Sequence, residues 1–282
     1  MDNYIVCSNI TKRFNKKNDN YALNNVNISI NKGEFVVLGG ENGSGKSTLM
    51  KIMIGLLIPD EGSVVVNGVD VIKNWKKLSH QIGVVLNNER CLYWKLTARE
   101  NLEVFGNIYG VKTKNLKERI TYLLEKVNLI DVQDNLVETY STGMKRKLML
   151  CKALIHNPDI LFADELLNGL DPESCVEFIN ILTELNENGK TIVVISHILH
   201  TFPESCKLIL MKQGSIILQD SISKLNIEKI IRLRCTLNNK DIEKVVNGKN
   251  FNDTITELIN QGGVNIRVES DNIYDITRRL LS

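Results

Sequence analysis

Gly40-Glu41-Asn42-Gly43-Ser44-Gly45-Lys46-Ser47 fits the pattern G-x-x-x-x-G-K-[ST]. Before it, Glu34-Phe35-Val36-Val37-Leu38 reads as a short buried strand, and after it Ser47 to Leu57 reads as a helix. Glycines let a backbone curl so that several N–H groups face one anion. The helix N-terminus adds partial positive charge. Gly40, Asn42, Gly43, Ser44 and Gly45 would form the cradle, Lys46 would reach the β- and γ-phosphates, and the Ser47 hydroxyl would ligate Mg²⁺. Thr48 follows on the α-phosphate side.

A second apolar run, Ile160-Leu161-Phe162-Ala163, delivers Asp164 and Glu165 to its C-terminal end. Ligand chemistry in parallel α/β sheets gathers at that edge. Asp164 suits a Mg²⁺ contact and Glu165 suits polarising an attacking water. Paired acids after a strand also serve as helix N-terminal charges, and the phosphate loop decides for the chemical role. Thr191 to Ile195 is a further strand and ends at Ser196-His197, with His200 a competing histidine one turn on. Asp171-Pro172 caps a helix over Glu173–Glu187, and Ser141 caps one reaching about Ile155.

The order of phosphate loop, Tyr140-Ser141-Thr142-Gly143-Met144, acid pair and His197 resembles the ATP-binding-cassette (ABC) ATPase family over about residues 4–220. The resemblance implies an α/β P-loop NTPase cassette, with a RecA-like core, an antiparallel β subdomain and a helical subdomain over about 88–155. It makes ATP and Mg²⁺ the ligands and His197 the switch histidine on the γ-phosphate. In the family, the hydroxyl and backbone matching Ser141 and Gly143 bind the γ-phosphate held by the opposite subunit. Half of each site is then supplied in trans, and a lone subunit hydrolyses ATP poorly.

Two departures matter. The family signature is usually Leu-Ser-Gly-Gly-Gln, and here Tyr140, Thr142 and Met144 differ while Ser141 and Gly143 stand. The glutamine that usually follows the strand Ile82–Leu86 and senses Mg²⁺ is replaced by Asn87, or by Asn88 if one residue is inserted. Phe14 matches the place of the adenine-stacking aromatic, with Tyr21 as competitor. The stretch from Glu89 to Leu102 and the run Tyr-Ser-Thr-Gly-Met-Lys look like ATPase subunits of ABC-2-type exporters. Within it, Leu92, Tyr93, Trp94 and Leu96 either pack the helical subdomain or, if Tyr93 and Trp94 are exposed, receive a partner's coupling helix.

The 282 residues are 43% hydrophobic and carry a net charge of +2, so a core is readily formed and nothing favours nucleic acid. Cys7, Cys91, Cys151, Cys175, Cys206 and Cys235 form no C-x-x-C pair and read as reduced thiols. The first residues lack a signal-peptide pattern, and no stretch approaches 18 consecutive apolar residues. A transporter built on this chain needs a membrane-spanning permease on a separate chain and a second nucleotide-binding subunit, with this chain peripheral at the cytoplasmic face. The rival readings are a regulatory or immunity module with negligible hydrolysis and a soluble ABC ATPase without a membrane partner. Residues 1–220 are expected to be the cassette and 221–282 a small α/β accessory region. In that region strands are expected at Ile231–Leu237 and Val264–Val268, and helices at Asp241–Val246, Asp253–Gln261 and Ile273–Leu281.

Overall fold

The computed structural model describes residues 3–15, 21–86, 91–199, 201–224, 231–237, 240–246, 251–261 and 264–270. The chain divides into two compact units, Met1–Ile222 and Ser223–Ser282.

The first unit opens with β1 (Asn3–Lys12) and β2 (Leu23–Asn31), then β3 (Phe35–Gly40) and α1 (Lys46–Met53). All six residues of β3 are buried, as its unbroken apolar run requires. The helix expected to reach Leu57 stops at Met53, where Gly55 at φ 75° turns the chain. Next come β4 (Glu61–Val66) and β5 (Val69–Asp70), joined by Asn67-Gly68, both at positive φ (47° and 71°). That is the chemistry of a two-residue hairpin turn. The short helix α2 (Trp75–Ser79) leads into β6 (Ile82–Val85).

Three helices follow, α3 (Ala98–Ile108), α4 (Thr113–Lys126) and α5 (Thr142–Leu154). A reciprocal pair starts α3: Thr97 accepts from the Glu100 N–H and the Glu100 carboxylate accepts from the Thr97 N–H. A Cβ on Gly106 would lie 2.3 Å from Leu116, so the absence of a side chain there lets α3 and α4 pack closely. The buried face of α4 consists of Leu116, Ile120, Leu123 and Leu124, at helical spacing. The unit then runs through β7 (Ile160–Asp164), α6 (Pro172–Glu187), β8 (Thr191–Ile195), β9 (Lys207–Lys212) and β10 (Ser215–Ser221).

These strands form two sheets. One is antiparallel, in the order β2-β1-β4-β5. The other, β10-β9-β3-β8-β7-β6, is parallel except for the β9–β10 hairpin. One core joins them, with Ile5, Ile10, Val26, Ile28 and Ile30 from the first packing with Leu38, Phe162, Val193 and Ile209 from the second. The second unit holds β11 (Ile231–Leu237), β12 (Lys240–Val246), α7 (Phe251–Asn260) and β13 (Val264–Ser270), with sheet order β12-β11-β13. The expectation of a helix at Asp241–Val246 is wrong: this segment is β12, whose Ile242 pairs with Cys235 of β11. Residues 273–281 lie outside the described residues.

One buried polar group gives the first unit a pH dependence. Nε2 of His156 donates to the Ile82 carbonyl at 3.0 Å, and the ring stacks on Tyr109 at 3.9 Å. Its Nδ1 is buried with no hydrogen-bond partner among the described residues. Burial lowers the His156 pKa from 6.5 to about 4, assisted by His80, Arg119 and Lys190 and opposed by the Ile82 carbonyl. The folded state therefore holds this histidine neutral where the unfolded chain would protonate it. Its contribution is complete above pH 6.5 and is lost as pH falls toward about 4. Urea unfolding should show about 1–3 kcal/mol lost over that window, and His156→Phe should flatten that part of the profile.

Candidate functional site

The register of the parallel sheet assembles the site. Leu38 of β3 pairs with Ile195 of β8, and Ile195 pairs with Asp164 of β7, so three strand ends stand at one level. The phosphate loop follows β3, Glu165 follows β7 and Ser196-His197 follows β8. Three segments distant in sequence thus meet at the carboxyl edge of the sheet, where such folds bind ligands.

The loop from Gly40 to Gly45 is held from two sides. A Cβ on Gly40 (φ 140°) would stand 2.3 Å from the Met211 carbonyl oxygen, and one on Gly45 (φ 104°) would stand 2.4 Å from that of Ala22. Gly43 is at φ 80° in open space, so only its backbone conformation calls for glycine. The Gly214 N–H donates to the Ser44 carbonyl at 3.0 Å, tying the loop to the β9–β10 turn. Gly45 caps α1 without a side-chain hydrogen bond, so the capping residue leaves the helix's first N–H groups to a ligand. Asn42 is exposed, Ser44 is buried, and Ser47 and Thr48 are half-buried. Lys46 is 5% exposed, and its Nζ donates to the carbonyls of Gly40 at 2.8 Å and Glu41 at 2.7 Å. Burial lowers its pKa, and Glu165, Asp164 and Glu41 oppose the shift. A buried ammonium held by carbonyls inside a loop of N–H groups is a binding position for a polyanion.

Opposite, the Ser47 hydroxyl donates to Asp164 Oδ1 at 3.3 Å. Burial raises the Asp164 pKa, neighbouring Glu165 adds to the shift, and Ser47, Lys51 and Lys46 oppose it. A hydroxyl and a carboxylate oxygen side by side at the mouth of a phosphate loop are hard donors that suit Mg²⁺, which takes one or two protein ligands and completes its shell with phosphate and water. Glu165 adopts φ 52°, rare for a residue with a side chain. Its Oε1 lies 3.3 Å from Nε2 of His197. His197 itself is set by a local turn in which Ser196 Oγ accepts from the Ile198 N–H at 3.0 Å. Asn87 and His200 lie outside the described residues.

Ser141 and Gly143 stand apart, at the N-terminus of α5. Ser141 Oγ accepts from the Met144 N–H at 3.2 Å, which leaves its O–H able to donate elsewhere. A Cβ on Gly143 would meet nothing closer than 3.8 Å, so this end of the helix is open. Phe14 is 69% exposed, whereas Tyr21 is engaged by Arg13, whose guanidinium lies 4.0 Å from the ring centre. Tyr93 and Trp94 are both exposed, at 50% and 43%. Tyr93 stacks on Phe105, and Lys145 Nζ lies 4.5 Å from the Trp94 ring centre.

One residue at this edge escapes the sequence reading. Arg146 of α5 donates from Nη1 to the carbonyls of Glu165 and Leu166, each at 2.9 Å. In the sequence it is one cation in the run Lys145-Arg146-Lys147, and no motif marks it. The loop geometry gives a graded test. Gly45→Ala, which sets a methyl against a carbonyl, should abolish nucleotide binding measured by calorimetry. Gly43→Ala, which carries only the left-handed backbone cost of about 1–2 kcal/mol, should weaken it about tenfold.

Comparison with known proteins gives the family. The profile of the family described as ABC transporter matches residues 23–168, about half of the chain. The ABC transporter ATP-binding protein NatA of Bacillus subtilis is 35% identical over 223 residues, covering 78% of this chain and 91% of NatA. The linearmycin resistance ATP-binding protein LnrL of the same organism is 36% identical over 230 residues, covering 80% of this chain and 73% of LnrL. Among solved structures, the ADP conformation of the ATP-binding cassette MJ1267 superposes with TM-score 0.71 at 28% identity, over 80% of this chain and 95% of that one. A dimeric post-hydrolysis state of the cassette MJ0796, bound to ADP and Pi, gives 0.69 at 29% identity, over 77% and 98%. Joined to a phosphate loop that faces Asp164, Glu165 and His197, these likenesses identify the chain as a member of the ABC transporter family, an ATP-binding subunit and an ATPase.

Proposed function

We propose that this chain energises an exporter by closing on ATP as a head-to-tail dimer and reopening after hydrolysis. The observation that carries the reading is the meeting of Lys46, Ser47, Asp164, Glu165 and His197 at one edge of the parallel sheet. In this reading Lys46 and the N–H groups of the loop bind the β- and γ-phosphates. Phe14 is the aromatic available to stack on adenine, because Tyr21 is occupied by Arg13. Ser47 and Asp164 hold Mg²⁺, with the shorter amide of Asn87 in the usual place of glutamine. Bound there, the ion neutralises phosphate charge.

Glu165 accepts a proton from the attacking water, and His197, in contact with that carboxylate, orients the γ-phosphate. Ser141 and Gly143 contribute to the opposite subunit's nucleotide, a reading supported by the exposure of Ser141 and the open space beside half-buried Gly143 at the end of α5. Residues 1–220 form the cassette, with 88–155 its helical subdomain, and 221–282 the accessory region.

No described helix is long and apolar enough to cross a membrane. We assign the membrane-spanning part to a separate permease chain, with this subunit peripheral at the cytoplasmic face. The exposed Tyr93–Trp94 pair offers a docking surface for that permease. LnrL, named for linearmycin resistance, and the bacitracin transport ATP-binding protein BcrA of Enterococcus faecalis, 32% identical over 228 residues, support the choice of export. The partner selects the cargo.

Sedimentation with and without MgATP tests the reading. Glu165→Gln should form a stable ATP-dependent dimer and lose about 100-fold or more in turnover, the scale for removal of a general base, while the wild type hydrolyses ATP and dissociates. A Glu165→Gln chain that hydrolyses ATP at the wild-type rate would overturn the assignment of the base.

A further inference from the structure

Glu165 sits in a backbone conformation that needs support, and part of that support comes from the signature helix α5. Its N–H donates to the Ile195 carbonyl at 3.2 Å, which fixes one side of the residue to β8. Its carbonyl accepts from the Asn168 N–H at 3.2 Å and, together with that of Leu166, from a single nitrogen of Arg146. Arg146 is 9% exposed, and its Nε is buried with no hydrogen-bond partner among the described residues. Burying a guanidinium on neutral carbonyls is a poor way to gain stability, since a paired charge or an apolar side chain does better. What the arrangement does supply is placement. With N–H and carbonyl both held, rotation of the Glu165 peptide groups toward the ordinary helical or extended regions would break these hydrogen bonds, which favours the placement of the carboxylate beside His197.

We propose that Arg146 is a positioning residue for hydrolysis, gripping the Glu165 and Leu166 carbonyls and so fixing the direction of the Glu165 carboxylate. This rests on the reading of Glu165 as the group that activates water. It also joins two places that are chemically separate. Arg146 lies on the same helix as Ser141 and Gly143, little more than one turn further on. The next residue, Lys147, pairs with Glu177 of α6 at 2.8 Å, so α5 is braced to the core at this turn. A shift of α5 as its N-terminus meets the opposite subunit's nucleotide would move the guanidinium and, with it, the peptide that aims the carboxylate. Engagement in one site would thereby license water attack in the other.

The full-length chain carrying Arg146→Met or Arg146→Lys decides the matter, with turnover measured beside binding of a fluorescent ATP analogue. Arg146→Met should lower kcat about 30-fold or more while KM and analogue affinity stay within about twofold, as befits a residue acting only on the chemical step. Arg146→Lys, one bond shorter, places its ammonium short of the position from which Nη1 reaches both carbonyls and should lower kcat about 3- to 10-fold. In the Glu165→Gln background, Arg146→Met should change residual turnover less than about twofold, because residues acting as one unit are not additive. The doubly substituted chain should still dimerise on ATP, which shows that the fold and Ser141 are intact.

Wild-type kcat in Arg146→Lys would overturn the two-carbonyl grip even if the methionine variant does not fold. A loss of analogue binding, or an equal loss in both backgrounds, would assign Arg146 a structural role instead. Wild-type turnover in Glu165→Gln alone would mark failure of the underlying reading of the base, which is a separate result.

Discussion

Parallel pairing of β3, β8 and β7 is the constraint on which the site depends. A parallel ladder fixes which residues stand level, and here it sets Leu38, Ile195 and Asp164 side by side. A slip of one residue in either pairing would turn a buried strand's side chains to the opposite face and displace the following loop by about 3.3 Å. The hydroxyl of Ser47 would then miss Asp164, and Glu165 would miss His197. The strands resist such a slip because β3, β7 and β8 are buried along their whole length, so each residue has a packing partner that fixes register.

Charge is arranged around this edge with little help from water. Lys46 is buried and its ammonium is held by two carbonyls, while the nearest acids favour its charged form. Asp164 is also buried, and the adjacent Glu165 makes its ionisation harder. A polyanion with a divalent cation suits both groups at once, since it gives the lysine a stronger partner and the paired acids a counter-charge.

The sequence made the chemistry of the first unit legible, because phosphate loops, strand-end acids and helix caps depend on residue type at fixed offsets. Asp171 and Ser141 both cap the helices that their neighbours announce. Local reading fails where a partner strand decides. Lys240–Val246 mixes charged and apolar residues over a length at which helical and strand periods cannot be told apart, and pairing with β11 makes it a strand. Arg146 was illegible for a related reason. A cation in a basic helical run ordinarily faces water, and only the fold reveals that it reaches the carbonyls after β7. The positive φ of Glu165 carries no sequence signal either, because acids at strand ends usually adopt ordinary conformations.

The hydrogen bond from Gly214 to Ser44 has a bearing on how the chain is made. The ribosome releases the phosphate loop about 170 residues before the turn that holds it, and β9, which flanks β3, also arrives late. A nascent chain that has emerged only as far as His197 would own every group of its own subunit proposed to touch the triphosphate, yet its loop would lack Gly214 and β9 on that side. The backing of the phosphate loop by Gly214 and β9 is thus completed only when the last strands of the sheet have been made.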